Sequence, residues 1–166
     1  MSAASAIVIR AENPDQPDIR AMLAELDAYL ARLYPPDQNH ILDVQALLSP
    51  QVHFLVARRE SEAVGCGAVR IMPAEPDTAG QAYGEIKRMF VRLGARGQGI
   101  AQMLLEALEQ HLRGAGIALA TLETGELQPE ALRLYERGGY VKRPAFGGYN
   151  DNGTSVFYEK RLAPAP

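Results

Sequence analysis

Cysteine is almost absent from the chain. The single thiol, Cys66, cannot form an internal disulfide, and a chain without a disulfide framework is typical of the reducing cytoplasm, where we expect this protein. Cys66 stands in the apolar run V-G-C-G-A-V, which predicts a buried thiol of low reactivity rather than a carrier of an acyl group. No apolar stretch reaches the roughly 18 residues of a transmembrane helix, so none is predicted.

Positive charge is not in excess either. The chain has 17 lysines and arginines against 20 aspartates and glutamates, a net charge of −3. The sequence contains no cluster of basic residues, so neither a nucleic acid nor an anionic membrane is predicted as a partner. The amino terminus lacks the basic and apolar regions of a signal peptide. The histidines His40, His53 and His111 have no metal-ligand spacing, so no metal site is predicted.

The length of 166 residues favours one domain, which we place at residues 1–162, with A-P-A-P at 163–166 as a disordered tail. Apolar periodicity and Gly/Pro punctuation predict the elements. Helices are predicted at 15–33, 43–48, 98–113 and 129–137, and strands at 7–10, 51–58, 63–72, 82–91, 117–123, 140–143 and 154–161. Consecutive early strands imply antiparallel hairpins, and the strand–helix–strand unit at 82–123 implies a parallel pair. The fold class is therefore α+β with a mixed sheet.

The most informative segment lies between a predicted strand and a predicted helix. Residues 96–101 read R-G-Q-G-I-A and fit the pattern R-x-x-G-x-A. Helix N-termini present unpaired N–H groups and partial positive charge, and glycines let an anion approach the backbone. The segment is not a Walker A motif, and Gln102 stands where a Rossmann fingerprint needs its third glycine. A glycine-rich turn that only links strand to helix is the structural alternative.

A second motif, L-Y-E-R-G-G-Y, occupies residues 134–140. Together the two motifs resemble those of the GNAT (Gcn5-related N-acetyltransferase) superfamily. The resemblance implies an acyl-CoA N-acyltransferase fold: a central mixed, mostly antiparallel sheet of six to seven strands with helices on both faces. It also implies transfer of an acetyl group from acetyl-CoA to a primary amine of a small molecule or peptide, by direct attack in a ternary complex. Homodimers are common among similar proteins.

The resemblance also implies the residues that contact acetyl-CoA. Residues 96–101 (Arg96, Gly97, Gln98, Gly99, Ile100 and Ala101) would bind the pyrophosphate, largely through backbone N–H groups. The preceding strand would separate from its neighbour, and Met89, Phe90 and Val91 would pair with the pantetheine arm. The Met89 N–H would also polarise the thioester carbonyl. Gln128 stands near the position of an asparagine that contacts the arm in the family.

Amine acetylation needs a base for the amine and a donor for the leaving thiolate. By resemblance, Glu85 is the base candidate and Tyr135 the acid candidate. Strand alternation would place Tyr83, Glu85, Lys87 and Met89 on one face, where Lys87 would lower the pKa of Glu85. Tyrosine is a weaker acid than a thiol, so we expect Tyr135 mainly to donate a hydrogen bond. The structural alternatives are a Glu85–Lys87 surface pair and a packed helix tyrosine.

The acceptor pocket is the least defined part of the prediction. In the GNAT fold, the regions that contain Tyr34, His40, Phe146 and Tyr149 line this pocket, and Asp37 and Asp151 could attract a cationic amine. Ordinary polar loops are the alternative. At the level of the whole protein, two other functions stay open: a non-catalytic acyl-CoA-binding regulatory domain, and a nucleotide-binding domain without acyl transfer.

Overall fold

A computed structural model describes residues 5–164, which contain seven strands and four α-helices. The strands are β1 (Ile7–Ala11), β2 (Val52–Arg59), β3 (Glu62–Met72), β4 (Tyr83–Val91), β5 (Leu119–Gly125), β6 (Val141–Arg143) and β7 (Ser155–Arg161). The helices are α1 (Pro17–Leu33), α2 (Val44–Leu47), α3 (Ile100–Gly114) and α4 (Pro129–Arg137). Each predicted element is present within one or two residues of its expected bounds.

The strands form one sheet in the order β1-β2-β3-β4-β5-β7-β6. Among the described residues, β4 and β5 are the parallel neighbours, and the other pairs are antiparallel. The helix α3 connects β4 to β5, as a parallel pair requires. The predicted α+β fold with a mixed, mostly antiparallel sheet is confirmed.

Helices cover both faces of the sheet, because each has an apolar stripe that must be buried. On one face, α1 and α2 pack on β2 and β3 through Ile19, Met22, Leu23, Leu47, Phe54 and Val56. On the other, α3 and α4 pack on the sheet through a larger cluster that includes Ile86, Leu104, Leu108, Leu112, Leu122 and Tyr135. Prolines delimit α1: Pro17 is its first residue and Pro35 follows its end.

A β-bulge distorts β4 at Arg88, whose φ of 58° lies in the left-handed region that arginine rarely adopts. Lys87 pairs with Ala68 and Phe90 with Cys66, so Arg88 and Met89 together stand opposite Gly67. The Arg88 side chain, 4% exposed, forms an ion pair with Asp27 of α1. This ion pair links the bulge to the helix.

The bulge corrects one prediction. Gly84 and Ile86 face α3, so Glu85 and Lys87 face away from it. The extra residue reverses the alternation, and the Met89 side chain packs beside Gly67 on the α3 face. Met89 therefore does not share a face with Glu85, and the prediction that it does is wrong.

Beyond the bulge, β4 separates from β5. The two strands pair only from Gly84 to Ile86 on β4 and from Ala120 to Leu122 on β5. Residues 87–91 of β4 therefore have no partner on β5, which leaves a gap in the sheet. The predicted separation of this strand from its neighbour is present.

Residues 1–4 of the predicted domain and 165–166 of the predicted tail lie outside the described residues. Ala163 accepts a hydrogen bond from Arg113 Nε of α3 at 3.1 Å, so the tail contacts the domain at its first residue. In the part of the chain that the structure describes, no helix combines the length and apolarity needed to cross a membrane.

Candidate active site

The segment that precedes α3 forms an open cradle of backbone. Gly97 and Gly99 both have a φ of 78°, and Gly99 is the N-cap residue of α3. A Cβ atom at either glycine would meet nothing within 4 Å, so the space above the backbone is free. The first turn of α3 contains no acidic side chain, so its N–H groups and macrodipole are available to an anion.

A groove of about 500 Å³ runs from this cradle to the gap in the sheet. Its walls are the open part of β4, the cradle, the start of α3 and the exposed face of α4; they include Met89, Phe90, Val91, Arg96, Gly97, Gly99, Ile100, Ala101, Gln128 and Tyr135. All these residues were predicted to contact acetyl-CoA. One cavity brings them together.

A second, smaller cavity of about 110 Å³ lies in the gap between β4 and β5 and is called the inner cavity below. Met89, Gln128 and Tyr135 line both the groove and the inner cavity. The two spaces therefore meet at these residues. A ligand that extends along the groove from the cradle has its far end at this junction.

Known proteins are similar in sequence to this chain over the segments that form this site. The family model described as "Acetyltransferase (GNAT) family" matches residues 19–140, which include the cradle, the open strand and α4. The chain belongs to the GNAT acetyltransferase family. An Azospirillum brasilense protein named IAA acetyltransferase is 45% identical over 156 residues, which cover 94% of this chain and 98% of that protein. Acyltransferase activity is thereby assigned to the chain.

Solved structures share the fold of this chain. A Klebsiella pneumoniae protein assigned as an acyl-CoA N-acyltransferase is 35% identical, covers 95% of this chain and 98% of its own, and has a TM-score of 0.76. Arabidopsis thaliana NAA60 in complex with acetyl-CoA has a TM-score of 0.66 at 17% identity, over 95% and 99% of the two chains. At that identity, the second likeness shows the fold alone.

The side chains around the GNAT cradle differ in their availability. Arg96 lines the groove; its Nε donates to the Val91 carbonyl oxygen at 2.9 Å, and its guanidinium lies 5.9 Å from the centre of the Phe90 ring. The Gln98 side chain is turned away and accepts a hydrogen bond from Arg59 of β2. Arg137, in the last turn of α4, also lines the groove and was not predicted. Its signal in the sequence was a cation at a helix end that follows the L-Y motif.

Tyr135 is 6% exposed and packs against the rings of Tyr140 and Tyr158. Among the described residues, its hydroxyl has no hydrogen-bond partner, and the ring lies at the junction of groove and inner cavity. Burial, with a smaller contribution from the Glu123 carboxylate, raises the pKa of Tyr135 well above its usual range. The raised pKa makes Tyr135 a poor proton source and leaves it a neutral hydrogen-bond donor.

Glu85 is 2% exposed, and both carboxylate oxygens are engaged. Oε1 accepts from Arg70 Nη2 at 3.0 Å, and Oε2 accepts from the Tyr149 hydroxyl. Lys87 Nζ lies 3.5 Å from Oε2 and donates to the Tyr149 hydroxyl at 2.7 Å. Glu85 does not line the inner cavity or the adjoining cavity of about 620 Å³. This geometry favours a role for Glu85 in holding Arg70, Lys87 and Tyr149.

Another carboxylate, Glu123 of β5, does line the inner cavity, and the sequence analysis missed it. Oε2 accepts from the Ser155 hydroxyl at 2.7 Å, and His40 Nδ1 lies 3.5 Å from the same oxygen. Burial raises the pKa of Glu123, while Ser155, His40 and Lys87 act to lower it. Its signal was the one ionisable residue of the strand L-A-T-L-E-T-G.

A third cavity, of about 620 Å³, opens outward from the inner cavity and is called the outer cavity below. His40 and Lys87 line both, so the two are continuous. Tyr149 lines the outer cavity, as predicted for the acceptor pocket. Tyr34 lines the inner cavity, and its hydroxyl accepts from the Leu127 N–H at 3.2 Å.

Phe146 departs from the prediction. It is 1% exposed and packs on Tyr83, Tyr149 and Phe157. It does not line the inner or the outer cavity, so it supports the acceptor region from beneath. Of the two predicted acidic side chains, Asp37 lines the outer cavity and Asp151 does not.

Cys66 is fully buried, and its Sγ lies 3.3 Å from the Arg88 carbonyl oxygen. Burial raises the pKa of the thiol to about 12. A buried, protonated thiol outside the groove cannot serve as an acyl carrier. Within residues 5–164, no cluster of three or more His, Cys, Asp or Glu side chains could hold a metal ion.

Proposed function

We propose that this GNAT protein transfers the acetyl group of acetyl-CoA to a primary amine of a small molecule or peptide, by direct attack in a ternary complex. The observation that carries the proposal is the junction of groove and inner cavity at Met89 and Tyr135. A thioester that reaches the junction along the groove would meet an amine that enters from the other side. The name of the Azospirillum relative supports acetyl as the group transferred.

The cradle and the open strand fit the two ends of acetyl-CoA. Backbone N–H groups around Gly99 would bind the pyrophosphate, and Arg96 and Arg137 would add positive charge at the groove wall. Residues 87–91 have no partner on β5, so their backbone groups can pair with the amides of the pantetheine arm. Gln128 lines the same stretch.

In the reaction, the amine nitrogen attacks the thioester carbonyl carbon, the new C–N bond forms, and the C–S bond breaks. The Met89 N–H would donate to the carbonyl oxygen as negative charge develops there; such a donor contributes roughly 3–4 kcal/mol. The Tyr135 hydroxyl would donate a hydrogen bond to the departing sulfur. The amine nitrogen loses a proton to a base as the amide forms, and the departing thiolate takes up a proton and leaves as free CoA.

We assign the base role to Glu123, with His40 beside it, in place of Glu85. A base must reach the amine directly or through one water. Glu123 lines the cavity at the junction, whereas Glu85 is enclosed by Arg70, Lys87 and Tyr149. The raised pKa of Glu123 also makes it a stronger base than an ordinary carboxylate.

The binding step is tested by calorimetric titration of acetyl-CoA into the purified protein, with ADP and NAD as controls. We expect micromolar binding of acetyl-CoA and much weaker binding of both controls. Equal binding of NAD or ADP would favour a nucleotide-binding domain and remove the assignment of the groove.

Catalysis is tested by the release of CoA thiol in the presence of amines. Amine-dependent release with intersecting initial-rate patterns is the expected result of direct attack. Binding of acetyl-CoA without thiol release from any amine in a broad screen would favour a non-catalytic acyl-CoA-binding domain.

A further inference from the structure

The outer cavity has an excess of positive charge where a site for a simple amine would need negative charge. Arg70 and Lys87 both line it, and the carboxylate that neutralises part of their charge, Glu85, lies behind them at 2% exposure. Two cations against one buried anion leave a net positive wall. The rim residue Asp37 is exposed to solvent, where its charge is screened.

The Arg70 guanidinium has unused hydrogen-bonding capacity. Its Nη2 donates to Glu85, but its Nε is shielded from solvent and has no hydrogen-bond partner among residues 5–164. An arginine presents five N–H donors in a planar fork that matches an oxyanion. A buried donor without a partner costs free energy, which a ligand oxygen can recover.

The inner cavity differs in having a carboxylate at its wall; Arg88 lines it too, but its charge is paired with Asp27. Glu123 lies at its wall, with Tyr135 and Met89 at the junction with the groove. Lys87 and His40 connect this acidic end to the basic end at Arg70. The continuous acceptor space thus has a carboxylate at the reacting end and cations at the outer end.

We propose that the acceptor is a small amine that also carries an acid group, a carboxylate or phosphonate, and that Arg70 binds this group while the amine points to Glu123. The proposal rests on the proposed function and adds the class of acceptor. The amine and acid of such a molecule complement the two ends of the space. It also differs from the expectation that Asp37 and Asp151 attract a cationic amine, because the acid group of the acceptor is bound by a cation.

The test compares acids with their amides. Thiol release is measured with amino acids from glycine to 6-aminohexanoate and with phenylalanine, each beside its primary amide. We expect kcat/KM for at least one acid to exceed that of its amide by about tenfold or more, the effect of one charge-assisted pair. Equal or better use of the amides throughout would overturn the proposal while leaving acetyl transfer itself established.

Variants test whether Arg70 is the group that causes the preference for acids. Arg70→Met should raise KM for the preferred acid by about 10- to 100-fold, leave KM for acetyl-CoA unchanged, and bring the acid and its amide to similar kcat/KM. Arg161→Met is the matched control, because Arg161 is exposed, contacts Gln81 and does not line the cavities. An acid preference that survives Arg70→Met would exclude Arg70 as the binding group.

Two measurements keep the test decisive. Should Arg70→Met fail to fold because Glu85 loses its partner, Arg70→Met with Glu85→Gln removes both charges, and the same loss of acid preference is expected. Should no amine in the panel react, the acid–amide pairs are titrated calorimetrically into the protein bound to CoA. Absence of acid-selective binding there would overturn the proposal; loss of acetyl-CoA binding as well would instead overturn the proposed function.

Discussion

At the scale of single residues, the two carboxylates near the sheet gap have different environments. Glu85 is surrounded by hydrogen-bond donors, while Glu123 has Ser155 and His40 on one side and the cavity on the other. We expect Glu123→Gln to lower kcat by about 10²–10⁴-fold, the usual contribution of a positioned base. The comparison is Glu85→Gln, which should chiefly raise KM for the acceptor.

The pH dependence follows from the raised pKa of Glu123. A base must be deprotonated, so kcat/KM should rise with pH through the pKa of Glu123, which burial holds above its ordinary 4.5. Glu123→Gln should remove this acidic limb. An unchanged limb in the variant would show that another group is the base.

Tyr135 gives a second prediction at this scale. Because burial raises its pKa, its contribution should be a hydrogen bond to the leaving sulfur rather than a proton. Tyr135→Phe should lower kcat by about 10- to 100-fold and leave KM for acetyl-CoA nearly unchanged. Tyr158→Phe is the control, since that hydroxyl contacts Glu136 instead of the junction. Complete loss of activity in Tyr135→Phe would point to obligatory proton transfer.

At the scale of elements, substitutions of the glycines at the two ends of α3 distinguish the effect of backbone strain from the effect on acetyl-CoA binding. Gly99 before the helix and Gly116 after it have φ values of 78° and 75°, and a Cβ atom at either position would meet nothing within 4 Å. Gly99→Ala and Gly116→Ala should each cost about 1–2 kcal/mol in the free energy of unfolding, measured with urea. Only Gly99→Ala should weaken acetyl-CoA binding, by about tenfold or more. Equal weakening in both would indicate a general loss of order in α3.

The elements themselves could be predicted because each has a strong local pattern. Apolar spacing defined α1 and α3, and proline and glycine defined their ends. The bulge at Arg88 could not be predicted, because no glycine or asparagine marks its positive φ. The side chain at the bulge pairs with Asp27, which is 61 residues away along the chain. The prediction of the side-chain direction of Met89 was wrong because the bulge at Arg88 was not predicted.

The bulge also yields a prediction about stability. Asp27→Ala would leave the Arg88 guanidinium, 4% exposed, without its carboxylate partner. The expected cost is about 1–3 kcal/mol in urea unfolding, below the range for a fully buried pair because Asp27 is 48% exposed. Asp15→Ala, which breaks the exposed pair with Arg20, should change stability by less than about 0.5 kcal/mol. Similar losses in both variants would mean that the Asp27–Arg88 pair does not stabilise the bulge.

At the scale of the whole molecule, the lining of the groove was predictable from local motifs, whereas the lining of the inner and outer cavities was predicted only in part. The groove depends on backbone at one strand, one turn and one helix, which local motifs encode. The acceptor space combines Arg70 of β3, Lys87 of β4, Glu123 of β5 and loop residue His40. Sheet order and register alone bring Arg70, Lys87 and Glu123 together, and single-sequence patterns do not contain that information.

A histidine pair makes the stability of the whole fold sensitive to pH. His53 of β2 and His111 of α3 stack with ring centroids 3.7 Å apart. Burial lowers the pKa of both histidines, and the charge of His111 lowers the pKa of His53 further. The unfolded chain therefore binds protons at a higher pH than the native protein, so the free energy of unfolding should fall as pH drops through about 6.5.

Urea unfolding at intervals between pH 8 and pH 5 measures this effect. His111→Gln removes one ring and should flatten the decline, because one depressed titration is lost and His53 no longer faces a second imidazolium. Glu123 acts in the opposite sense, since its raised pKa lets the native state bind a proton more readily, but it does so equally in both proteins. The difference between wild type and variant therefore isolates the stacked pair. Parallel curves for the two proteins would show that the pair contributes nothing to the pH dependence.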